Sequence, residues 1–137
     1  MTIKRRSGVG FILGGLVGAG GVALSAAATH SAATELLRPA AQMLLFHAPL
    51  FLSLSLLFLW RGRGVSAAVL AMGTGALVVL VAGLALFCGD LLFRAYGGAR
   101  LFPFAAPLGG SLLIAAWVGV ILTGAALLRS GETERGA

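Results

Sequence analysis

Four uncharged, apolar runs divide the chain, at about residues 8–29, 40–60, 65–88 and 108–128. A helix rises about 1.5 Å per residue, so a run of roughly twenty crosses a hydrocarbon core of about 30 Å, and each run predicts one transmembrane helix. The polar stretch from His30 to Arg38, closed by Pro39, is expected to break the chain between the first two. Only Arg61, Gly62, Arg63 and Gly64 separate the second run from the third, so these two must pair as an antiparallel hairpin. Past Gly89 and Asp90 the apolar character resumes with Leu91, Leu92 and Phe93, so the third helix either tilts or projects beyond the hydrocarbon before Arg94. Pro103 and Pro107 precede the fourth run, and a polar tail from Arg129 to Ala137 follows it. The expected architecture is an all-α integral membrane protein, a single domain over 1–137 built as an up-down-up-down bundle of four transmembrane helices.

Basic residues set the orientation. With a cytoplasmic N-terminus, Lys4, Arg5, Arg6, Arg61, Arg63, Arg129 and Arg135 fall inside, against Arg38, Arg94 and Arg100 outside. Both termini are therefore expected to be cytoplasmic, and Trp60 at the inner edge and Tyr96 near the outer edge suit an aromatic belt. A basic start, an apolar run and the small residues Ser25 to Ala28 imitate a signal peptide, but the run exceeds the usual 7–15 residues or so of such a core, so it reads as a span.

Composition sharpens the class. Of 137 residues, 59% are hydrophobic and 10% charged, and 21 are glycine; a soluble domain has about 25% charged residues. There is too little polar surface to coat a water-soluble globule, which excludes a soluble enzyme. The net charge of +6 comes from bases placed between apolar runs rather than clustered on one solvated face. That is membrane-flanking charge, and the partner it implies is the lipid bilayer, not nucleic acid. The single cysteine, Cys88, cannot form an intramolecular disulfide.

Small residues decide which faces of such helices pack, because lipid offers little hydrophobic drive between them. Gly10, Gly14 and Gly18 repeat at four-residue spacing, as do Ala67, Ala71 and Gly75, and Ala115, Gly119 and Thr123. These seams serve either packing within the chain or a homo-oligomer. Gly18, Gly20 and Ala23 match a dinucleotide-binding spacing, but inside an apolar span they lack the strand and solvated helix start that it requires.

Whatever chemistry the chain has lies with polar residues in or beside the spans. In this topology His30 ends span one, Gln42 and His47 lie in the outer part of span two, and Asp90 ends span three, so all four share the outer half of the bundle. Pro49 cannot donate to the carbonyl of Leu45 and leaves it free at a similar depth. One reading is structural: His30 and Asp90 are solvated, Asp90 pairs with Arg94, and His47 bonds to Gln42, a loop carbonyl or Asp90. The other is an outward-facing polar pocket in which His47 and Asp90 exchange protons or hold a small polar ligand. His30, His47, Asp90 and Cys88 are ligand types that suit zinc or copper, but no short ligand spacing supports a site, so no metal or cofactor is expected. Trp117 reads as packing, and its indole N–H needs an acceptor.

The stretches Val22 to His30, Phe46-His47-Ala48, Phe87 to Leu91 and Ala106 to Gly110, with Trp117, resemble the YgdD-like family of small bacterial inner-membrane proteins over about residues 8–128. The family's marks carry over to His30, His47, Gly89, Asp90, Pro107, Gly109 and Gly110. The chain departs from them at Ser25, Ala28, Leu44 and Cys88. The resemblance implies four spans in a bacterial inner membrane and supplies no reaction. Physically, Pro107 would open the fourth helix, with Gly109 and Gly110 admitting another backbone to its first turn and Asp90 beside its free amides. The expected function is a non-enzymatic accessory or interaction protein of the membrane, partnered by another membrane protein or by its own copies. The alternative is a small-solute or proton-linked transporter or binding protein using the outer pocket.

Overall fold

The computed structural model describes residues 3–59 and 65–135, with side chains over 5–59 and 65–129. Trp60, Arg61 and Arg63, and the side chains of Lys4 and Arg135, lie outside the described residues. Four helices make up the fold: α1 (Ile3–Thr29), α2 (Thr34–Leu59), α3 (Ala67–Gly97) and α4 (Ala105–Arg135). No strand occurs among the described residues, and every helix is long and apolar enough to cross a membrane.

Two helix starts differ from expectation, both at prolines. Pro39 does not precede α2 but lies inside it, because the helix already begins at Thr34. Local bonds make that start: Ser31 Oγ accepts from the Ala33 amide at 3.0 Å, and the amides of Leu36 and Leu37 both donate to the Ala33 carbonyl. Glu35 in the first turn favours the positive end of the helix dipole. Pro39 then forfeits one bond, to the Glu35 carbonyl near the end of the helix. The Thr34 hydroxyl reaches back to the Ala28 carbonyl at 2.7 Å and ties the α1–α2 turn.

At α4 the helix begins at Ala105, three residues before the apolar run, and Pro107 is its third residue. Its missing N–H is one of the first four, which have no partner within a helix in any case. Phe104 turns the chain into α4 with φ +68°. Ser66 caps α3, accepting from the Val69 amide at 3.3 Å. Its other end projects past Asp90 to Gly97, where Gly98 adopts a left-handed φ of +70° and donates to the Arg94 carbonyl. Its 31 residues make it about 46 Å long, more than the hydrocarbon thickness.

α1 packs on α2, α4 packs on α3, and α2 with α3 joins the two pairs. Among the described residues no Cα of α1 comes within 8 Å of α3 or α4, and none of α2 within 8 Å of α4. Glycines create both hairpin seams. A Cβ at Gly10 would collide with Ser55, one at Gly14 would lie 2.8 Å from Leu52, and one at Gly18 would touch Ala48 at 3.5 Å, so positions ascending α1 meet positions descending α2. On the other side, Gly119 faces Ala76, Gly83 faces Leu113 and Gly109 faces Phe87.

Packing within the chain does not use the stripe of Ala67, Ala71 and Gly75. All three are exposed, as is Ala115, and α3 instead buries Gly73, Ala76, Leu80 and Gly83. The side chains that fill the centre come mainly from α2 and α3, with Phe51, Leu54, Leu80 and Leu84 meeting Leu113 and Ala116 of α4. Outward-facing Ile12, Leu16, Ile114 and Ile121 are each more than 60% exposed, an apolar surface suited to lipid.

Candidate functional site

His47 sits 13 residues into α2 and Trp117 12 residues into α4, which at about 1.5 Å per residue places both roughly 18–20 Å from the starts of their helices. At that depth they meet. The Trp117 indole Nε1–H donates to His47 Nε2 at 3.2 Å, with ring centroids 6.1 Å apart and planes inclined at 54°. His47 Nδ1 lies 2.7 Å from the Met43 carbonyl, one turn back on its own helix. A carbonyl only accepts and an indole N–H only donates. His47 is therefore the neutral tautomer with its proton on Nδ1, and both ring nitrogens are occupied. The imidazole is buried, 5% exposed, while the indole is half-exposed.

Asp90 forms a second, separate node. It is fully buried on α3, and its Oδ1 accepts from the Leu101 amide at 2.9 Å. Leu101 belongs to the loop leading to α4, four residues ahead of Ala105. Asp90 thus ties down the α3–α4 connection, and its hydrogen bond goes to this loop rather than to an α4 amide or to Arg94. Gly89 leaves room beside it, since a Cβ there would lie 3.4 Å from the Leu101 side chain. Replacing Asp90 with alanine is expected to speed hydrogen exchange at the Leu101 amide roughly fivefold, the loss of one hydrogen bond of about 1 kcal/mol. Asp90→Asn keeps an acceptor oxygen and should leave that protection in place; equal exchange in both variants would contradict the assignment.

No hydrogen bond joins any two of His30, Gln42, His47 and Asp90. His30 and Gln42 are exposed, and His30's backbone amide donates to the Ala27 carbonyl at the end of α1. Cys88 is buried on α3, and its thiol donates to the Ala40 carbonyl of α2 at 3.6 Å. Among the described residues no three of His, Cys, Asp and Glu converge in a way that could hold a metal ion. Among the described residues no hydrogen bond pairs His47 or Asp90 with a serine, threonine or cysteine side chain. What the arrangement does chemically is fasten elements: α4 to α2 through Trp117 and His47, α3 to α2 through Cys88, and the last loop to α3 through Asp90.

Pro107 lies in the first turn of α4, and Gly109 follows it against the backbone of α3. A Cβ on Gly109 would lie 2.5 Å from the Phe87 amide nitrogen and 2.9 Å from the Gly83 carbonyl oxygen, whereas Gly110 meets only the Phe87 ring at 3.9 Å. The close approach belongs to Gly109 alone.

A family model described as "Protein of unknown function (DUF423)" matches residues 15–110. The chain belongs to this family. The DUF423 match runs from within α1 to the first turns of α4 and takes in His30, Gln42, His47, Asp90, Pro107, Gly109 and Gly110, while Trp117 lies beyond it. It agrees with the resemblance to a family of small membrane proteins without an assigned reaction. No curated protein and no solved structure matches the chain.

The pairing of His47 with Trp117 escaped sequence reasoning, although its elements were present: a buried indole that needs an acceptor, and an imidazole at equal distance from the start of a helix. Counting residues from the two helix starts brings the rings to one level.

Proposed function

We propose that this DUF423 protein is a non-enzymatic accessory or interaction protein of the bacterial inner membrane, an up-down-up-down bundle with both termini on the cytoplasmic side. The reading rests on one observation: buried His47 has both ring nitrogens engaged, by Met43 and Trp117, and buried Asp90 has its Oδ1 engaged by Leu101, rather than facing a polar cavity. A proton or solute pathway needs such groups free to exchange partners along a wetted route. The register of the glycine contacts supports the alternating helix directions, and the excess of Lys and Arg at the end carrying the termini supports their cytoplasmic placement. The exposed apolar faces of α1 and α4 are where a membrane partner or another copy would dock.

Flux in proteoliposomes tests it. Vesicles loaded with a pH-sensitive dye and carrying the wild-type protein are expected to dissipate an imposed proton gradient no faster than empty vesicles. Gently extracted protein should in turn run as a defined complex in native mass spectrometry. Flux above the empty-vesicle rate would overturn the reading in favour of the proton-linked alternative.

A further inference from the structure

The two gaps across the diagonals of the bundle are treated differently. Between α2 and α4 the backbones stay apart, but the Trp117 indole reaches across and is anchored by His47. Among the described residues no side-chain hydrogen bond joins α1 to α3. There an apolar groove of about 530 Å³ opens, walled by Val9 and Leu13 of α1 and by Leu77, Val78 and Val81 of α3, with Phe58 of α2 as its floor. It continues toward Leu92 as a second section of about 330 Å³, sharing Leu13 and Val81 with the first. From Thr74 to Leu92 the two sections follow roughly 27 Å of α3.

The lining selects the occupant. Apart from Arg6 and Thr74 the first section is walled by hydrocarbon side chains, and leaving it empty would forfeit the dispersion contacts of those walls, which a chain of methylenes supplies. At the end near the chain termini the lining includes Arg6, which is exposed and forms no ion pair among the described residues. Arg5 and Arg129 are also exposed, and their helix ends belong to the same side of the bundle. A guanidinium at the mouth of an apolar slot is complementary to a phosphate attached to an acyl chain.

We propose that the α1–α3 groove binds one acyl chain of an anionic phospholipid, with the lipid's phosphate held at Arg6. This uses the membrane embedding of the reading above but not the accessory role, and lipid retention is measured independently of flux or partners.

The test is native mass spectrometry of the protein released from nanodiscs containing equal amounts of phosphatidylglycerol and phosphatidylcholine. The wild-type protein is expected to retain one phosphatidylglycerol in preference to phosphatidylcholine. Arg6→Gln should reduce that preference roughly fivefold, the effect of one basic residue at an anionic surface, while Arg5→Gln, outside the groove, should reduce it distinctly less. Val78→Trp places a ring from an exposed wall position into the slot and should abolish retention of either lipid without altering the helical content. Equal retention of the two lipids, equal effects of Arg6→Gln and Arg5→Gln, or a second copy or partner protein protecting the groove in place of lipid would each overturn the proposal.

Discussion

Gly109→Ala is expected to separate α4 from α3, whereas Gly75→Ala leaves the bundle intact. The added methyl at position 109 would meet the Phe87 amide nitrogen at 2.5 Å, the Gly83 carbonyl oxygen at 2.9 Å and the Phe87 Cα at 2.9 Å. These are backbone atoms of a continuous helix and cannot rotate aside as a side chain would, so the helices themselves must move apart. Overpacking a well-packed site costs about 1–3 kcal/mol, and a backbone collision belongs at the upper end of that range or above it. Separation would also strip the contacts of Leu113 and Ala116 with the centre of the bundle. At Gly75 nothing lies within 4 Å of a Cβ, and alanine is the better helix former by up to about 1 kcal/mol, so that variant should be neutral or slightly more stable. Unfolding in mixed micelles of increasing dodecyl sulfate content measures both. Indistinguishable midpoints for the two variants would mean that α3 and α4 do not pack through Gly109.

The contrast between these two glycines explains what the sequence made legible. Span number and approximate position followed from uncharged run length, because an all-apolar run of about twenty residues has one good solution in lipid. Packing faces did not follow. The helices are apolar on nearly every side, since lipid and helix core are equally non-polar, so no polar stripe marks the outer face. Gly and Ala at four-residue spacing therefore occur on exposed and buried faces alike, and packing within the chain runs through Gly73, Ala76 and Gly83 rather than through Ala67, Ala71 and Gly75. Pro39 stands inside α2 rather than at its edge because a proline in the opening turns of a helix loses little, and only local bonds such as those of Ser31 and Ala33 reveal how early that helix begins, whereas Pro107, in the first turn of α4, marks its start to within two residues. For the site, depth could be counted from sequence but direction around each helix axis could not. His30, Gln42, His47 and Asp90 thus looked like one cluster, although two of them are exposed and the other two bond to separate partners.

The bond between His47 and Trp117 should account for a measurable part of the stability, because it is a polar tie across the α2–α4 diagonal, which the backbones do not bridge. His47→Ala removes a buried ring and strands the indole N–H at membrane depth, which together should cost about 2–4 kcal/mol. The Met43 carbonyl suffers less, since it keeps the ordinary helical bond from the amide four residues on. Trp117→Phe retains a ring in the gap and deletes only the donor, and an interhelical hydrogen bond of this kind in lipid is worth about 0.6 kcal/mol on average and up to about 1.7. A double-mutant cycle on His47→Ala and Trp117→Phe should accordingly return a coupling within that range, with the double variant less destabilised than the sum of the singles. The tautomer supplies an independent readout. In a His30→Gln background the remaining imidazole should give the nitrogen resonances of a neutral ring protonated at Nδ1, and Trp117→Phe should shift the unprotonated Nε2 signal while the Nδ1–H to Met43 persists. Zero coupling, or a ring protonated at Nε2, would mean that the two rings are merely neighbours and that α4 is held by its contact with α3 alone.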